Sequence, residues 1–440
     1  MKNIGNINLK KNPFETSKKQ KIIDRITEKG YFTKYPISVT LSILFCFISN
    51  GIIVNIFNLI IMPTIEYFKA SDFMMEIMAG ISFIGAAFGA ICAIILSEKY
   101  SRTKIIKFFT GLMCITHLIS TIYLNLTIFF ISRIILGFTV GINEPLIFNT
   151  FGEYLPTRYR GLFLMISWLF YLLGVFIYDI LALIIMPNLE SEYLQKYLLS
   201  LNIVFILNFL VNYFFLYDSP RNLIIKSMQV ENFYEREKKI NEALKILNNM
   251  NKSPLTQAEE QQLVNELYHL STNKNENKSS FKELFSIKYF KTTIIGLFSF
   301  FVYACGYYGF YIISTLTLEI LNKKENEGKM ENNNNINVNI TYKSNKDIII
   351  NQIYLSFFDL FGSFLAGFLA EIKCIGRKGV LGIFMLISAI SLIPSCYSVT
   401  LFNIFFTISL SSGSIYGDMI ITYLSEIFPT KLRDISSSFF

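Results

Sequence analysis

The sequence predicts an all-α integral membrane protein that contains a duplicated unit. The 440-residue chain is 52% hydrophobic and only 16% charged, with a mean hydropathy of +0.44. Soluble domains carry roughly 25% charged residues. Long apolar segments recur along the chain, and a short polar motif follows such a segment twice. The two copies are Glu153-x-x-Pro156-Thr157-x-x-Arg160 and Glu426-x-x-Pro429-Thr430-x-x-Arg433.

Ten segments are long and apolar enough to cross a bilayer, which requires about 20 mainly apolar residues. None of them shows the polar stripe that an amphipathic soluble helix carries. We predict spans at residues 39–61, 77–97, 105–124, 127–149, 161–186, 197–217, 292–318, 347–370, 379–398 and 400–424.

The distribution of Lys and Arg predicts the orientation of these spans. Basic residues concentrate in segments that fall on one side of the membrane if the spans alternate: 1–38, 98–104, 158–160, 218–290, 373–378 and 431–433. The positive-inside rule places this side in the cytoplasm, together with both termini. No short apolar segment with a cleavage site precedes the first span, so no cleaved signal peptide is predicted. The particular membrane, plasma or organelle, stays open.

The spans and loops predict four regions. A cytoplasmic tail, 1–38, precedes a six-helix bundle, 39–217; a cytoplasmic linker, 218–290, then leads to a four-helix bundle, 291–440. Within the linker, 231–270 has the pattern of a charged amphipathic helix. In the second bundle, the Asn-rich stretch 322–345 is predicted to be disordered and external. Asn339 begins a glycosylation sequon there, whose use the sequence does not decide.

The two copies of the motif differ in the number of spans that come after them. Two spans follow Arg160, whereas only residues 434–440 follow Arg433. If the halves are same-orientation repeats, as in one class of secondary transporters, a twelve-span arrangement is expected. The sequence therefore predicts that ten of twelve spans are present, six in the first half and four in the second.

The sequence also predicts which kinds of site the protein lacks. The six cysteines are scattered, without disulfide or metal-ligand spacing, and only His117 and His269 could supply imidazole ligands. No nucleophile motif, metal cluster or phosphate-binding loop is evident. We therefore predict no enzymatic activity, no cofactor, no metal site and no nucleic-acid partner.

The order of the motifs resembles the major facilitator superfamily. Arg133-Ile-Ile-Leu-Gly137-Phe-Thr-Val-Gly141 leads into the first motif copy, Asp218-Ser219-Pro220-Arg221 follows the sixth span, and Gly376-Arg377-Lys378 follows the eighth. With the second motif copy, this set is similar to the branch that contains sugar porters, organic ion transporters and synaptic-vesicle-protein-like carriers. The resemblance covers residues 39–434. It implies two helical bundles that carry a small solute by alternating access, as a monomer.

The seventh span points to one part of that branch. Cys305-Gly306-Tyr307-Tyr308-Gly309-Phe310 resembles the organic ion and synaptic-vesicle-like carriers rather than the Gln and Asn pattern of sugar porters. We therefore expect an organic ion or a vitamin-like metabolite as the solute. Two alternatives stay open: a hexose uniporter or proton symporter, and a non-transporting receptor or scaffold with the same fold.

Charged and polar residues inside the spans are the candidates for the substrate cavity, because burying a charge in a membrane is costly and usually functional. The candidates are Asn50, Arg133, Glu144, Trp168, Asp179, Tyr307, Tyr308, Asp359 and Asp418. An acidic cavity would suit a cationic solute or a coupling proton, whereas Arg133 would suit an anion. Asp359 and Asp418 lie nearer mid-span than Asp179, for which an outer-interface position is an equal alternative. Relatives often place an acid where Asn50 stands, which puts proton coupling at that site in doubt.

A second set of residues is predicted to gate the cytoplasmic side. Carboxylates and guanidiniums at the predicted inner surface can pair and hold helix ends together. The set comprises Glu98, Arg102, Glu153, Arg160, Arg377, Glu426 and Arg433. The alternative is ordinary surface charge, for which exposed pairs contribute only about 0–1 kcal/mol. Glycines of the second and fourth spans are expected to let helices approach closely: Gly80, Gly85, Gly89, Gly137 and Gly141.

Overall fold

The computed structural model is helical throughout its described part and contains no strand there. The described residues are 34–155, 160–220, 223, 227, 232–250, 285–286, 288–309, 345–372, 375–395 and 401–428. The predictions for His269, Phe310, residues 322–344 with Asn339, and Arg433 lie outside these residues.

The chain divides into two compact units. One unit comprises Met1–Val39, Glu153–Arg160 and Tyr217–Lys278, and the other comprises Thr40–Gly152, Gly161–Leu216 and Ser279–Phe440. Nearly all of both predicted bundles, 39–217 and 291–440, falls in the second unit.

Seven α-helices and one short 3₁₀ turn make up the described first half. They are α1 (Lys34–Asn55), α2 (Phe57–Phe68), α3 (Asp72–Lys99), α4 (Arg102–Ile122), α5 (Leu126–Tyr154), α6 (Arg160–Ile185), the 3₁₀ turn Ser191–Tyr193 and α7 (Leu194–Phe215).

The described second half contains five α-helices and one π-helical segment. They are α8 (Phe233–Met250), α9 (Phe290–Gly309), α10 (Asn345–Glu371), α11 (Gly376–Ser395), the π-helical segment Phe402–Phe406 and α12 (Thr407–Ile427). The charged helix α8 confirms that part of the amphipathic helix predicted within the linker.

Ten helices among the described residues are long and apolar enough to cross a membrane, which confirms the predicted spans. Two of them differ from the prediction. The first was predicted to run to residue 61, but α1 ends at Asn55 and Ile56 forms a turn. The Asn55 amide donates to the Gly51 carbonyl and to the Tyr171 hydroxyl, 3.0 and 3.1 Å away. Such side-chain hydrogen bonds to the preceding turn compete with the helical ladder. The last span begins with π-helical backbone at Phe402 instead of regular α-helix.

Glycines bring α3 and α5 into backbone contact. A Cβ added to Gly137 would fall on the carbonyl oxygen of Ser82, and one added to Gly85 would fall on the carbonyl of Ile134. The same reciprocal contact is made further along by two more glycines, Gly89 and Gly141. The expectation of close approach is therefore confirmed at these four positions. At Gly80, no described atom lies within 4 Å of an added Cβ.

The helices α1 and α6 pack in the same way. A Cβ on Gly51 would meet the Tyr171 carbonyl, and one on Gly174 would meet the Ile48 carbonyl. Side chains as small as hydrogen let helix backbones approach closely, which is the main source of packing energy between helices in lipid. In the first half, two helix pairs, α3 with α5 and α1 with α6, are therefore in direct backbone contact.

Buried hydrogen bonds connect α7 to the helices beside it. The Asn202 side-chain oxygen lies 3.0 Å from His117 Nδ1, and its amide donates to Thr121 Oγ1 at 2.9 Å, which joins α7 to α4. Asn208 Nδ2 donates to Ser49 Oγ at 2.5 Å, which joins α7 to α1. These polar groups, costly to bury alone, satisfy one another.

Candidate substrate cavity and gating residues

Asp359 is held by a tyrosine of the seventh span. The Tyr307 hydroxyl donates to Asp359 Oδ2 across 3.2 Å, which links α9 to α10. The Asp359 side chain is fully buried, and its Oδ1 has no hydrogen-bond partner in the part of the chain that the structure describes. Two residues that the sequence proposed separately for the cavity are thus in direct contact.

Asp418 lies in the same cluster. The Ser363 hydroxyl donates to Asp418 Oδ2 at 2.6 Å, which links α10 to α12. Ser363 and Asp359 are four residues apart on α10 and therefore on the same face of that helix. Asp359 and Asp418 are close enough to interact electrostatically. The two acids that were predicted nearest mid-span therefore belong to one buried group.

Tyrosines of α9 surround this acidic group. Tyr303 stacks on Tyr307 with ring centroids 5.5 Å apart and an interplanar angle of 16°. Tyr308 lies with its centroid 5.2 Å from that of Tyr307 and 5.1 Å from that of Phe83 on α3. Tyr303 was not predicted from the sequence, although its spacing of four residues from Tyr307 places both on one helix face.

Trp168 lies at the centre of an aromatic cluster in the first half. Its ring centroid lies 5.5 Å from those of Phe47 and Tyr171 and 6.3 Å from that of Phe148. Its indole nitrogen has no partner among the described residues. Tyr171, three positions further along α6, belongs to the same aromatic cluster and was not among the residues predicted from the sequence.

Tyr171 also connects the first half with the tyrosines of α9. Its hydroxyl interacts with that of Tyr308, and both phenols are within electrostatic range of the half-buried Glu144. Glu144, Trp168 and Tyr308 therefore lie in one neighbourhood. Tyr171 could have been suspected from its i, i+3 spacing with Trp168.

Asp179 is buried and faces the second half of the chain. Its side chain has no exposed area, and neither carboxylate oxygen has a hydrogen-bond partner within the described ranges. Its electrostatic neighbours include Ser356 and Asp359 on α10. The Ser356 hydroxyl donates instead to backbone carbonyls of its own helix, those of Gln352 and Ile353. Asp179 is therefore an interior group and not an exposed side chain at the end of α6.

Asn50 and Arg133 are both buried among residues of the first half. Asn50 is buried, and its two amide atoms have no partner in the described segments. The buried Arg133 guanidinium lies 5.1 Å from the Phe57 ring centroid and 4.8 Å from that of Phe129. Such cation–π contacts stabilise the charge within an apolar surrounding. The two rings therefore stabilise the guanidinium, while its Nε has no hydrogen-bond partner among the described residues.

Glu153, at the first motif copy, accepts a hydrogen bond from the Ser219 hydroxyl. The adjacent Tyr154 hydroxyl donates to the Asp218 carbonyl at 2.8 Å. The motif after the fourth span is thereby tied to the motif after the sixth, a pairing that the sequence analysis did not predict. Arg102 is buried and Arg377 is half-buried. The side chains of Glu98, Arg160 and Glu426 lie, with Arg433, outside the described residues.

The described residues contain no group of three or more His, Cys, Asp or Glu side chains that could hold a metal ion. The polar chemistry assembled between the two halves consists of carboxyl, hydroxyl and aromatic groups. This composition is suited to binding a small solute within a helical bundle.

The sequence model described as the Major Facilitator Superfamily matches residues 43–440. The chain belongs to the major facilitator superfamily. It is therefore a multi-pass membrane protein of a transporter family. A search of curated proteins finds no match.

Solved structures share this fold. The proton:xylose symporter XylE bound to 6-bromo-6-deoxy-D-glucose has a TM-score of 0.69 and 16% identity, covering 92% of this chain and 84% of that one. A partially occluded inward-open XylE from E. coli has a TM-score of 0.68 and 16% identity, with coverages of 92% and 88%. FucP in the outward conformation has a TM-score of 0.55 and 15% identity, with coverages of 92% and 87%. Because the sequence identities are this low, the structural similarity establishes the fold alone. Membership of the organic ion branch stays a prediction.

Proposed function

We propose that this protein carries a small organic ion across a membrane by alternating access, and that the ion is a cation. The observation behind the charge assignment is the cluster in which Asp359 and Glu144 are surrounded by tyrosines. A cation–π contact contributes about 0.5–2 kcal/mol, more when the cation is desolvated. A nearby carboxylate adds electrostatic attraction. The combination of acid and aromatic face favours an alkylammonium or similar group.

Contributions from both halves support the alternating-access part of the proposal. Tyr171 and Glu144 belong to the first half, whereas Tyr308 and Asp359 belong to the second. A solute between them would contact both bundles at once. In carriers built from repeats, rocking one bundle against the other opens such a central site to alternate sides. The N-terminus, linker and C-terminus would face the cytoplasm, in keeping with the basic loops.

Arg133 argues less strongly for an anion than the sequence suggested. Its guanidinium lies against the Phe57 and Phe129 rings. A residue held by such contacts already has a stabilising environment without a bound anion. The acid-bearing cluster is therefore the better candidate for the solute.

A hexose is the second candidate. The solved structures with this fold include a xylose symporter, and sugar recognition uses hydroxyl donors beside aromatic faces. The unpaired indole nitrogen of Trp168 and the phenols of α9 could serve that purpose. Sugar hydroxyls can donate to these carboxyl groups, but a neutral sugar gains no charge attraction from them, whereas a cation does.

Uptake into proteoliposomes tests these alternatives. We expect saturable uptake of tetraethylammonium. Other quaternary ammonium ions should inhibit this uptake competitively, whereas glucose and p-aminohippurate should not change it. The Glu144→Gln variant should lose affinity for the cation, whereas Glu190→Gln, at an exposed position, should not. Uptake of glucose without cation competition would favour the sugar carrier. Absence of uptake for all three probes would favour the receptor or scaffold alternative.

A further inference from the structure

The helices α6 and α10, one from each half, contact each other at two places with antiparallel register. Met165 shares a buried hydrophobic cluster with Ala366 and Ala370 near one end. Further along, the ring centroids of Phe176 and Phe357 are 6.5 Å apart. Each step forward on α6 therefore matches a step backward on α10. This register places Asp179 opposite the stretch of α10 that begins near residue 354, with Ser356 and then Asp359 further along the same helix, and both are within electrostatic range of Asp179.

The two carboxyl groups are buried and incompletely satisfied. Asp179 and Asp359 each have 0% exposure. Both oxygens of Asp179 and the Oδ1 of Asp359 have no hydrogen-bond partner among the residues described. An ionised carboxylate in such surroundings costs several kcal/mol unless it is paired. Two nearby polar atoms, Gln352 Nε2 and Ser411 Oγ, are likewise buried without a hydrogen-bond partner in the described ranges.

The groups around the pair come from four other elements. Tyr197 on α7 interacts with Asp179, and Arg133 on α5 interacts in turn with Tyr197. Asp359 interacts with Tyr303 and Tyr307 on α9 and with Ser411 and Asp418 on α12. The one cation in this set is Arg133, and the remaining titratable neighbours are phenols and a carboxyl.

Two carboxyl groups within electrostatic range of each other in a buried site cannot both be ionised at low cost, because each charge opposes the other. A proton bound to one of them removes this repulsion and supplies a donor for the unpaired oxygens of the other. Such a pair titrates as a unit rather than as two independent acids.

We propose that Asp179 and Asp359 form a proton-binding pair that joins the two halves of the carrier. This inference rests on the proposed transport function and assigns it a coupling site away from Asn50. With the proton bound, one carboxyl donates to the other and α6 stays against α10. When the proton leaves to water on the opened side, two carboxylates face each other and the helices separate there.

The chemistry of the cycle is balanced by a single proton. It is taken from water on one side, held as a carboxylic acid O–H, and released to water on the other side. No covalent bond between heavy atoms of the protein changes. Because the pair spans the two halves, protonation favours the state in which this part of the interface is closed.

The distance between the two helices provides a direct test that needs no solute. Spin labels would be attached at Ile184→Cys on α6 and Tyr354→Cys on α10, both exposed positions, after replacement of the native cysteines. Pulsed electron paramagnetic resonance would then measure the label separation in nanodiscs at acidic and alkaline pH. We expect the separation to increase as the pH rises.

Asp179→Asn and Asp359→Asn should each abolish this response, because a single remaining carboxyl has no second charge to oppose. The population should stay at the short separation seen at acidic pH. Glu190→Gln serves as the matched control, since it removes a carboxylate at an exposed position, and should keep the full response. Asp359→Glu should restore a pH response and thereby separates loss of titration from damage to the fold.

Transport adds a second readout. In Asp179→Asn, a proton gradient should no longer drive accumulation of the cation. A pH-independent label separation in the parent protein, or an unchanged response in both Asn variants, would overturn the proposal. Sodium-dependent and proton-independent accumulation would also overturn it. The label experiment does not use the solute, so its outcome is distinct from a failure of the cation-transport proposal.

Discussion

The two halves of this carrier use small and polar residues for different purposes. In the first half, Gly137 and its equivalents let α3 contact α5 and α1 contact α6 through the backbone. In the second half, Gly417 and Gly362 lie against side chains instead: an added Cβ would fall on the Tyr303 ring and on the end of the Ile415 side chain. The same residue type therefore brings helix backbones together at these positions of one half and accommodates side chains of neighbouring helices in the other.

Their polar groups differ as well. Several of those of the first half are bonded to each other, as in the bonds among His117, Thr121 and Asn202. Those of the second half include the acids Asp359 and Asp418, which accept hydrogen bonds from Tyr307 and Ser363 and lie together in one buried group. The comparison indicates a first half held together by backbone contacts at its glycines and a second half whose two buried acids belong to one cluster.

The largest expected effect concerns the acids of the second half. Asp418→Asn or Asp359→Asn should reduce cation exchange more than Asp179→Asn does. Loss of a buried charge contact costs about 2–5 kcal/mol, which corresponds to a decrease of more than tenfold. Exchange rates and apparent affinities in proteoliposomes provide the measurement.

Ser363→Ala is the matched control for Asp418, because it removes the hydrogen-bond donor and keeps the charge. Its effect should be smaller than that of Asp418→Asn. Equal affinities in the parent, Asp359→Asn and Asp418→Asn would show that these acids do not bind the solute.

The next effect concerns the packing of the first half. Gly137→Ala should lower the free energy of unfolding by about 1–3 kcal/mol, since the methyl group would overlap the Ser82 carbonyl and force the helices apart. The thermal midpoint, followed by size-exclusion chromatography after heating, provides the measurement.

Gly80→Ala lies on the same pair of helices and meets no described atom within 4 Å. It should leave the midpoint unchanged or raise it slightly. Similar losses for both alanine variants would contradict the assignment of the effect to backbone contact.

A smaller effect is expected for the hydrogen bond that joins α4 and α7. A double-mutant cycle with His117→Phe and Asn202→Leu should give a coupling of about 0.6 kcal/mol, the average for hydrogen bonds between membrane helices. Thermal or denaturant unfolding of the four proteins would measure it. Strictly additive losses would mean that the 3.0 Å contact contributes no net stability.

The smallest effect is expected at the predicted gate. Glu153→Gln and Arg102→Ala should slow transport while expression and membrane insertion stay normal. A loss of about 1 kcal/mol, the upper end of the range for an ion pair near the surface, corresponds to a decrease of about fivefold. Ser219→Ala is the companion variant, because its hydroxyl donates to Glu153. Uptake at the parent rate in Glu153→Gln and Arg102→Ala would leave these residues as surface charge.

The spans were predictable because the number of apolar residues needed to cross a bilayer is a local property of the chain. The contacts of Gly85 and Gly137 were predictable for a related reason: small residues that recur on one membrane helix favour close packing. The mid-span acids Asp359 and Asp418 stood out because charges are rare in such helices. By contrast, Tyr303 and Tyr171 were missed, since aromatic residues are common in membrane helices and their spacing alone does not separate a cavity wall from packing.

The sequence by itself determined the helical membrane class, the ten spans, the family resemblance and the set of costly buried charges. Only the tertiary structure decided which of these residues meet. Asp179 and Asp359 are 180 positions apart, and no local pattern relates them. Their proximity depends on the rotation of α6 and α10 and on the antiparallel register that Phe176 and Phe357 share. The length and hydropathy of a helix are properties of its own residues, whereas the direction in which a side chain points into a partner depends on the packing of both helices.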